Sequence, residues 1–164
     1  MAIRRMKRRP VARRFVPRCR PADVSPSQDW WGHPRVTAFG LQGMRLLCAD
    51  DEEDIRTILE LALSLDPELE VELVDSGEAA LARARANRYD AIVLDGMMPG
   101  LDGYETCRRL KADPSTASIP VVFLTAKTQR GEVEQALTTG AVACLQKPFD
   151  PLTLAADLRA ALGR

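Results

Sequence analysis

Ala91-Ile92-Val93-Leu94-Asp95-Gly96-Met97-Met98-Pro99-Gly100-Leu101-Asp102-Gly103 is the stretch whose reading decides the fold. Four apolar residues stop at a carboxylate, and a loop punctuated by Gly and Pro follows. A short apolar run bounded by turn residues reads as a buried strand. Asp95 then stands at the carboxyl end of that strand, where open α/β sheets place their chemistry. Asp also opens ordinary turns, so this stretch alone leaves two readings open.

The same pattern recurs on both sides. Upstream, Arg45-Leu46-Leu47-Cys48-Ala49 forms a short strand ending at Asp50-Asp51-Glu52. Residues 53–65 then carry Ile55, Ile58, Leu59, Ala62 and Leu63 at helical spacing, with Pro67 beyond the helix end. Val71-Glu72-Leu73-Val74 is the second strand, and Ser76 is placed to cap an Ala-rich helix over 77–87. Downstream of the opening stretch, a helix runs from Gly103 to Ala112 and is closed by Asp113-Pro114. Val121-Val122-Phe123-Leu124 is a strand ending at Thr125-Ala126. A helix over 129–139 follows, with Gly140 as its C′ residue. Ala143-Cys144-Leu145 is the fifth strand, followed by Gln146-Lys147-Pro148-Phe149. Asp150 is positioned to cap a last helix, 151–162, with Pro151 at its first position.

Five alternations of strand and helix imply an α/β fold, a parallel sheet with helices on both faces. Right-handed crossovers bring the carboxyl ends of all strands to one edge. The polar residues that end the apolar runs meet there: Asp50 and Asp51, Asp95, Thr125 and Lys147. Three carboxylates in one crevice repel and need a cation or protons to coexist. An all-oxygen set suits a hard divalent ion such as Mg²⁺. A lysine and a threonine hydroxyl beside it can hold the oxygens of a phosphoryl group, whose transfer needs positioning and charge neutralisation. An Asp can itself be the nucleophile in such a transfer.

The chain is 164 residues long and 46% hydrophobic, enough for one domain with its own core. Its zero formal net charge hides a split. Of 23 basic and 23 acidic residues, residues 1–43 hold ten Lys/Arg and only Asp23 and Asp29 as acids, so thirteen bases and twenty-one acids follow from Met44. We therefore read a basic Arg/Pro-rich extension, 1–43, and a domain, 44–164. Pro10, Pro17, Pro21, Pro26 and Pro34 prevent a long helix in the extension, and its composition predicts disorder. Arg13-Arg14-Phe15 lacks the apolar stretch of an export signal, and the prolines oppose an amphipathic transit helix. An electrostatic arm for nucleic acid or anionic membrane is the alternative, with Phe15, Trp30 and Trp31 as contacts. Met44 also offers a second start, directly before the first strand. Cys19, Cys48, Cys107 and Cys144 show no paired spacing, against zinc or a disulfide framework. Cys48 and Cys144 read as small core residues, and a reducing cytoplasm fits. No apolar run reaches the roughly 18 residues of a membrane helix.

With Asp50-Asp51, the D-x-x-M-P-x-x-D-G loop at Asp95–Gly103, Thr125-Ala126 and Lys147-Pro148-Phe149 in this order, each after its own strand, the sequence resembles the receiver domain of two-component response regulators from about Met44 to Gly163. The resemblance implies a doubly wound, flavodoxin-like fold with five parallel strands in the order 2-1-3-4-5. It implies that Asp95 is the phosphoacceptor, and that Asp51, Asp95 and the main-chain carbonyl of Met97 ligate Mg²⁺ (or Mn²⁺). Asp50 would assist indirectly, through water or Lys147. Thr125 would hydrogen-bond the phosphoryl group, and Lys147 would pair with it, aimed by a cis peptide before Pro148. The phosphodonor would be a histidine kinase or a histidine phosphotransfer protein, and the output a change in protein–protein affinity through the fourth helix, fifth strand and fifth helix. The chain ends within about a turn of the last helix, so a stand-alone receiver is expected, not an enzyme beyond its own phosphorylation and dephosphorylation.

Two departures stand out. The position three before the lysine, aromatic in many receivers, is Cys144, which leaves the usual Thr–aromatic switch without its aromatic half. The positions two after the acceptor and two after Thr125, which in this family influence water access to the acyl phosphate, are Met97 and Lys127. An apolar Met97 is expected to slow hydrolysis, while Met98 is expected to pack beneath the loop. A haloacid-dehalogenase-type phosphohydrolase is the enzyme alternative. It requires a second Asp two residues after the first, where this chain has Met97.

Overall fold

A computed structural model describes residues 43–126 and 130–163, with side chains described throughout except at 130–132. Ten elements alternate: β1 (Met44–Ala49), α1 (Glu53–Ser64), β2 (Leu69–Val74), α2 (Gly77–Ala86), β3 (Ala91–Asp95), α3 (Gly103–Ala112), β4 (Val121–Thr125), α4 (Arg130–Thr138), β5 (Ala143–Gln146) and α5 (Leu154–Leu162). The strands form one parallel sheet in the order β2-β1-β3-β4-β5. The expected doubly wound α/β fold is therefore the observed one. The disorder expected of residues 1–43 falls, Gly43 apart, outside the described residues, as do the role of their basic and aromatic residues, Cys19 and Lys127.

The sheet separates two cores, because successive strand residues point to opposite faces. Leu47, Ile92, Leu94, Val121 and Phe123 pack with Ala80, Leu81 and Ala84 of α2, Cys107 and Leu110 of α3, and Ala136 of α4. On the other face Leu46, Cys48, Val93, Val122 and Leu124 meet Leu59, Ala62 and Leu63 of α1 and Leu154 and Leu158 of α5. β3 and β4 are buried along their whole length, as strands covered on both faces must be. Cys48 is a core residue as expected, and Cys144 is half-buried against the α3 side. Cys48, Cys107 and Cys144 are free thiols.

Three local expectations are corrected. α5 begins at Leu154 with Thr153 at its N-cap position, not at Pro151 after Asp150. Asp150 instead closes a turn: its Oδ1 accepts from Leu152 N at 2.9 Å and its carbonyl from Thr153 N and Leu154 N. Ser76 occupies the N-cap position of α2, but its hydroxyl donates to Asp75 Oδ1 at 3.0 Å and caps nothing. β2 starts two residues early, at Leu69, because β1 pairs with it from Met44 onward. Gly140 takes the left-handed conformation expected of a C′ residue, with φ 96°.

Candidate functional site: an acidic crevice with one lysine

The parallel register sets the site. Asp95 ends β3 beside Leu124, and Thr125, one residue further along β4, pairs with Gln146. Lys147 N donates to the carbonyl of Thr125 at 2.9 Å, which carries the next residue of β5 to the same edge. Asp50, just past β1, donates its N–H to Val74 O at 3.1 Å.

The structure brings the carboxylates of Asp50, Asp51 and Asp95 together, with one oxygen from each lying within 4.8 Å of the others. Asp50 and Asp95 are buried, at 1% and 6% exposure, whereas Asp51 is the solvent-facing member. Lys147 Nζ lies 2.5 Å from Asp50 Oδ2 and 3.4 Å from Asp95 Oδ2. The Lys147–Pro148 peptide is cis, as expected. Burial raises the carboxyl of Asp95 above its ordinary 3.8. The Lys147 charge pulls the other way, Asp50 pushes up again, and the N–H of Met97 lowers it by donating a hydrogen bond.

This donor set fits a hard divalent cation. It is all oxygen, and three acids face one ammonium. Asp51 does not cap α1. The N-cap residue is Glu52, whose N–H is taken by Asp50 Oδ1 at 3.1 Å. No hydrogen bond or ion pair engages the Asp51 carboxylate among the described residues, so its oxygens are uncommitted within the cluster.

The loop after Asp95 is held against the acceptor. Gly103 N donates to Gly96 O at 3.2 Å. A Cβ on Gly103 would collide with the carbonyl oxygen of Asp95 and crowd its carbon at 2.9 Å, so the start of α3 touches the acceptor backbone. Asp102 fixes that start by accepting from Glu105 N at 2.7 Å. Met98 is buried beneath the loop as expected, and Met97 is 63% exposed.

Two contributors escaped the sequence reading. Tyr104 stacks on Phe123 with ring centroids 4.9 Å apart. Its hydroxyl lies 3.2 Å from where a Cβ on Gly96 would stand, and Thr125 Oγ1 lies 3.4 Å from the same point. An aromatic residue, supplied by α3 and not by β5, therefore shares with the threonine the space beside Gly96. Cys144, paired in register with Phe123, is a half-buried thiol pushed up to about 11 by burial and by nearby Cys107, and so is protonated at neutral pH. The second contributor is Arg56, whose Nη1 donates to the carbonyls of Asp50 and Asp51 at 2.8 and 2.9 Å. Its sequence signal was a base in a first helical turn, where the dipole favours acids.

A doubly wound sheet with an acidic triad, a threonine and a lysine at its carboxyl edge defines a class of phosphoryl-accepting α/β domains. The family model for the response regulator receiver domain matches residues 46–159, and the chain belongs to that family. It is 44% identical over 115 residues to the response regulator PleD of Caulobacter vibrioides, covering 70% of this chain and 25% of PleD. It is 40% identical over 119 residues to the transcriptional regulatory protein AfsQ1 of Streptomyces coelicolor, covering 73% and 51%. The chain thus spans between a quarter and about half of the length of these curated relatives. Among solved structures it is similar to a putative response regulator from Chloroflexus aurantiacus, with TM-score 0.68, 34% identity and coverage of 74% and 99%. It is also similar to the receiver domain of the sensor histidine kinase PA1611 of Pseudomonas aeruginosa, solved with magnesium coordinated in its active site cleft, with TM-score 0.67, 33% identity and the same coverage. The domain is thus a receiver of two-component signalling. No helix among the described residues is long and apolar enough to cross a membrane.

Proposed function

We propose that residues 44–164 form a cytoplasmic receiver that takes a phosphoryl group on Asp95 from a histidine kinase or a histidine phosphotransfer protein and thereby alters a protein–protein interaction. The observation that carries this reading is the meeting of three carboxylates from two strand ends with a single buried lysine. An Asp95 carboxylate oxygen attacks the phosphorus of the phosphohistidine. The P–N bond breaks, the imidazole leaves and takes up a proton, and an acyl phosphate remains on Asp95.

Asp51, Asp95 and the Met97 carbonyl would hold Mg²⁺ or Mn²⁺, which supplies neutralisation of the phosphoryl oxygens as charge builds on them. Asp50 assists indirectly by holding Lys147. The Lys147 ammonium pairs with a phosphoryl oxygen, and the Thr125 hydroxyl donates to another. Output passes through the α4–β5–α5 face, and the chemistry is confined to the domain's own phosphorylation and dephosphorylation. The test is labelling by acetyl phosphate with and without Mg²⁺, comparing wild type with Asp95→Asn. Mg²⁺-dependent label on the wild type alone is expected, and equal labelling of the two proteins sinks the reading.

A further inference from the structure

Consecutive side chains of an extended strand point to opposite sides, yet Asp50 and Asp51 both deliver a carboxylate oxygen to the cluster with Asp95. The chain achieves this by bending at Asp51, two residues past the end of β1. Two successive carbonyls, those of Asp50 and Asp51, then face one nitrogen, Arg56 Nη1, at 2.8 and 2.9 Å. Arg56 is itself fixed one turn into α1, where its N–H donates to Glu52 O at 3.0 Å. A single side chain therefore sets the orientation of two peptide planes. The two acids depend on it unequally. Asp50 has its own restraints, accepting from Glu52 N at 3.1 Å and from Lys147 Nζ. The Asp51 carboxylate has no such partner among the described residues, so its direction is set by the backbone that Arg56 grips.

We infer that Arg56 is a positioning residue for the divalent-cation site, holding the Asp50–Asp51 backbone in the bent form that aims the Asp51 carboxylate at Asp95. The inference rests on the reading of these three acids as the Mg²⁺ site. It concerns hydrogen bonding, not charge, and the two have opposite signs. A guanidinium near the site repels a divalent cation, so removing only its charge would tighten Mg²⁺ binding. Removing a group that orients a ligand weakens metal binding, typically by ten- to a hundredfold.

The experiment is calorimetric titration of the full chain with Mg²⁺, comparing wild type, Arg56→Met, which keeps an unbranched apolar stem, and Arg56→Lys, which keeps a donor on a long stem. Binding about tenfold weaker in Arg56→Met, with most of the affinity regained in Arg56→Lys, is expected. Amide spectra of the metal-free Arg56→Met protein should change only near residues 50–56. Unchanged or tighter binding in Arg56→Met overturns the inference, as does equal loss in both variants or a spectrum altered throughout the sheet. Wild type that takes up no Mg²⁺ overturns the reading of the site itself, a result distinguishable from the others.

Discussion

Lys147, on the loop after β5, places its ammonium 2.5 Å from the carboxylate of Asp50, 97 positions earlier in the chain. Both are nearly inaccessible, the side chains being 10% and 1% exposed. Removing one partner of a buried ion pair leaves an uncompensated charge, at a cost of about 3–5 kcal/mol. Lys147→Met should therefore lower the metal-free unfolding free energy by about 3 kcal/mol in urea titrations. Because three acids then face each other without a cation, added Mg²⁺ should restore more stability to this variant than to wild type. Labelling by acetyl phosphate should fall about a hundredfold, the usual consequence of deleting one group aimed at developing charge.

Asp95 responds in the opposite sense. Its carboxyl is raised by burial and by Asp50, so its folded pKa exceeds its unfolded one. Ionising it in the fold therefore costs stability once the pH has risen above the folded value, and costs nothing below the unfolded value. Asp95→Asn should melt higher than wild type at neutral pH without metal, by roughly 4 °C for a gain of about 1 kcal/mol. The difference should shrink as the pH falls through the carboxylate range toward the ordinary 3.8 and vanish below it. Thermal melts at stepped pH in the presence of a chelator measure this, and a difference independent of pH would refute it.

Gly103 is required for a steric reason. Its missing Cβ leaves room for the carbonyl of Asp95, and the crowding atoms are backbone, which cannot rotate away. Gly103→Ala should cost about 3 kcal/mol in urea unfolding, at the upper end of ordinary overpacking. It should also displace the acceptor, so that Mg²⁺ affinity falls along with stability. Ala at Gly100, whose φ is 75°, should be felt as backbone strain but not at the acceptor.

Much of this site was legible because polar residues interrupt apolar runs at strand ends, and a parallel topology sends all those ends to one edge. Asp50, Asp51, Asp95, Thr125 and Lys147 follow from pattern and topology alone. What was not legible depends on side-chain direction. Nothing in residues 50–56 says that Arg56 turns back to two carbonyls, or that Asp150 spends its oxygens on a turn and leaves α5 to start at Leu154. Tyr104 read as an ordinary residue of α3, because its placement beside Gly96 comes from stacking on Phe123, a contact between elements. Cys144 showed only which aromatic was missing from β5, and only the packed structure shows a ring from α3 beside Gly96, on the same core face as Cys144.

The lifetime of the phosphorylated state should depend on Met97. The side chain is 63% exposed, two residues past the acceptor, while its own N–H is committed to the Asp95 carboxylate. The backbone of Met97 is thus anchored to the acceptor, and its thioether stem rises from that anchor toward solvent. An apolar stem there offers an approaching water no hydrogen-bond partner. Asn is shorter and brings both a donor and an acceptor, so it can orient a water for attack on phosphorus. Met97→Asn should dephosphorylate faster, by about tenfold, within the usual range for a positioned polar group assisting proton transfer. Mg²⁺ affinity should stay close to wild type, since only the main-chain carbonyl is assigned to the metal. Decay of acetyl-phosphate-derived label after donor removal gives the rate, and a wild-type half-life no longer than that of the variant would defeat the prediction.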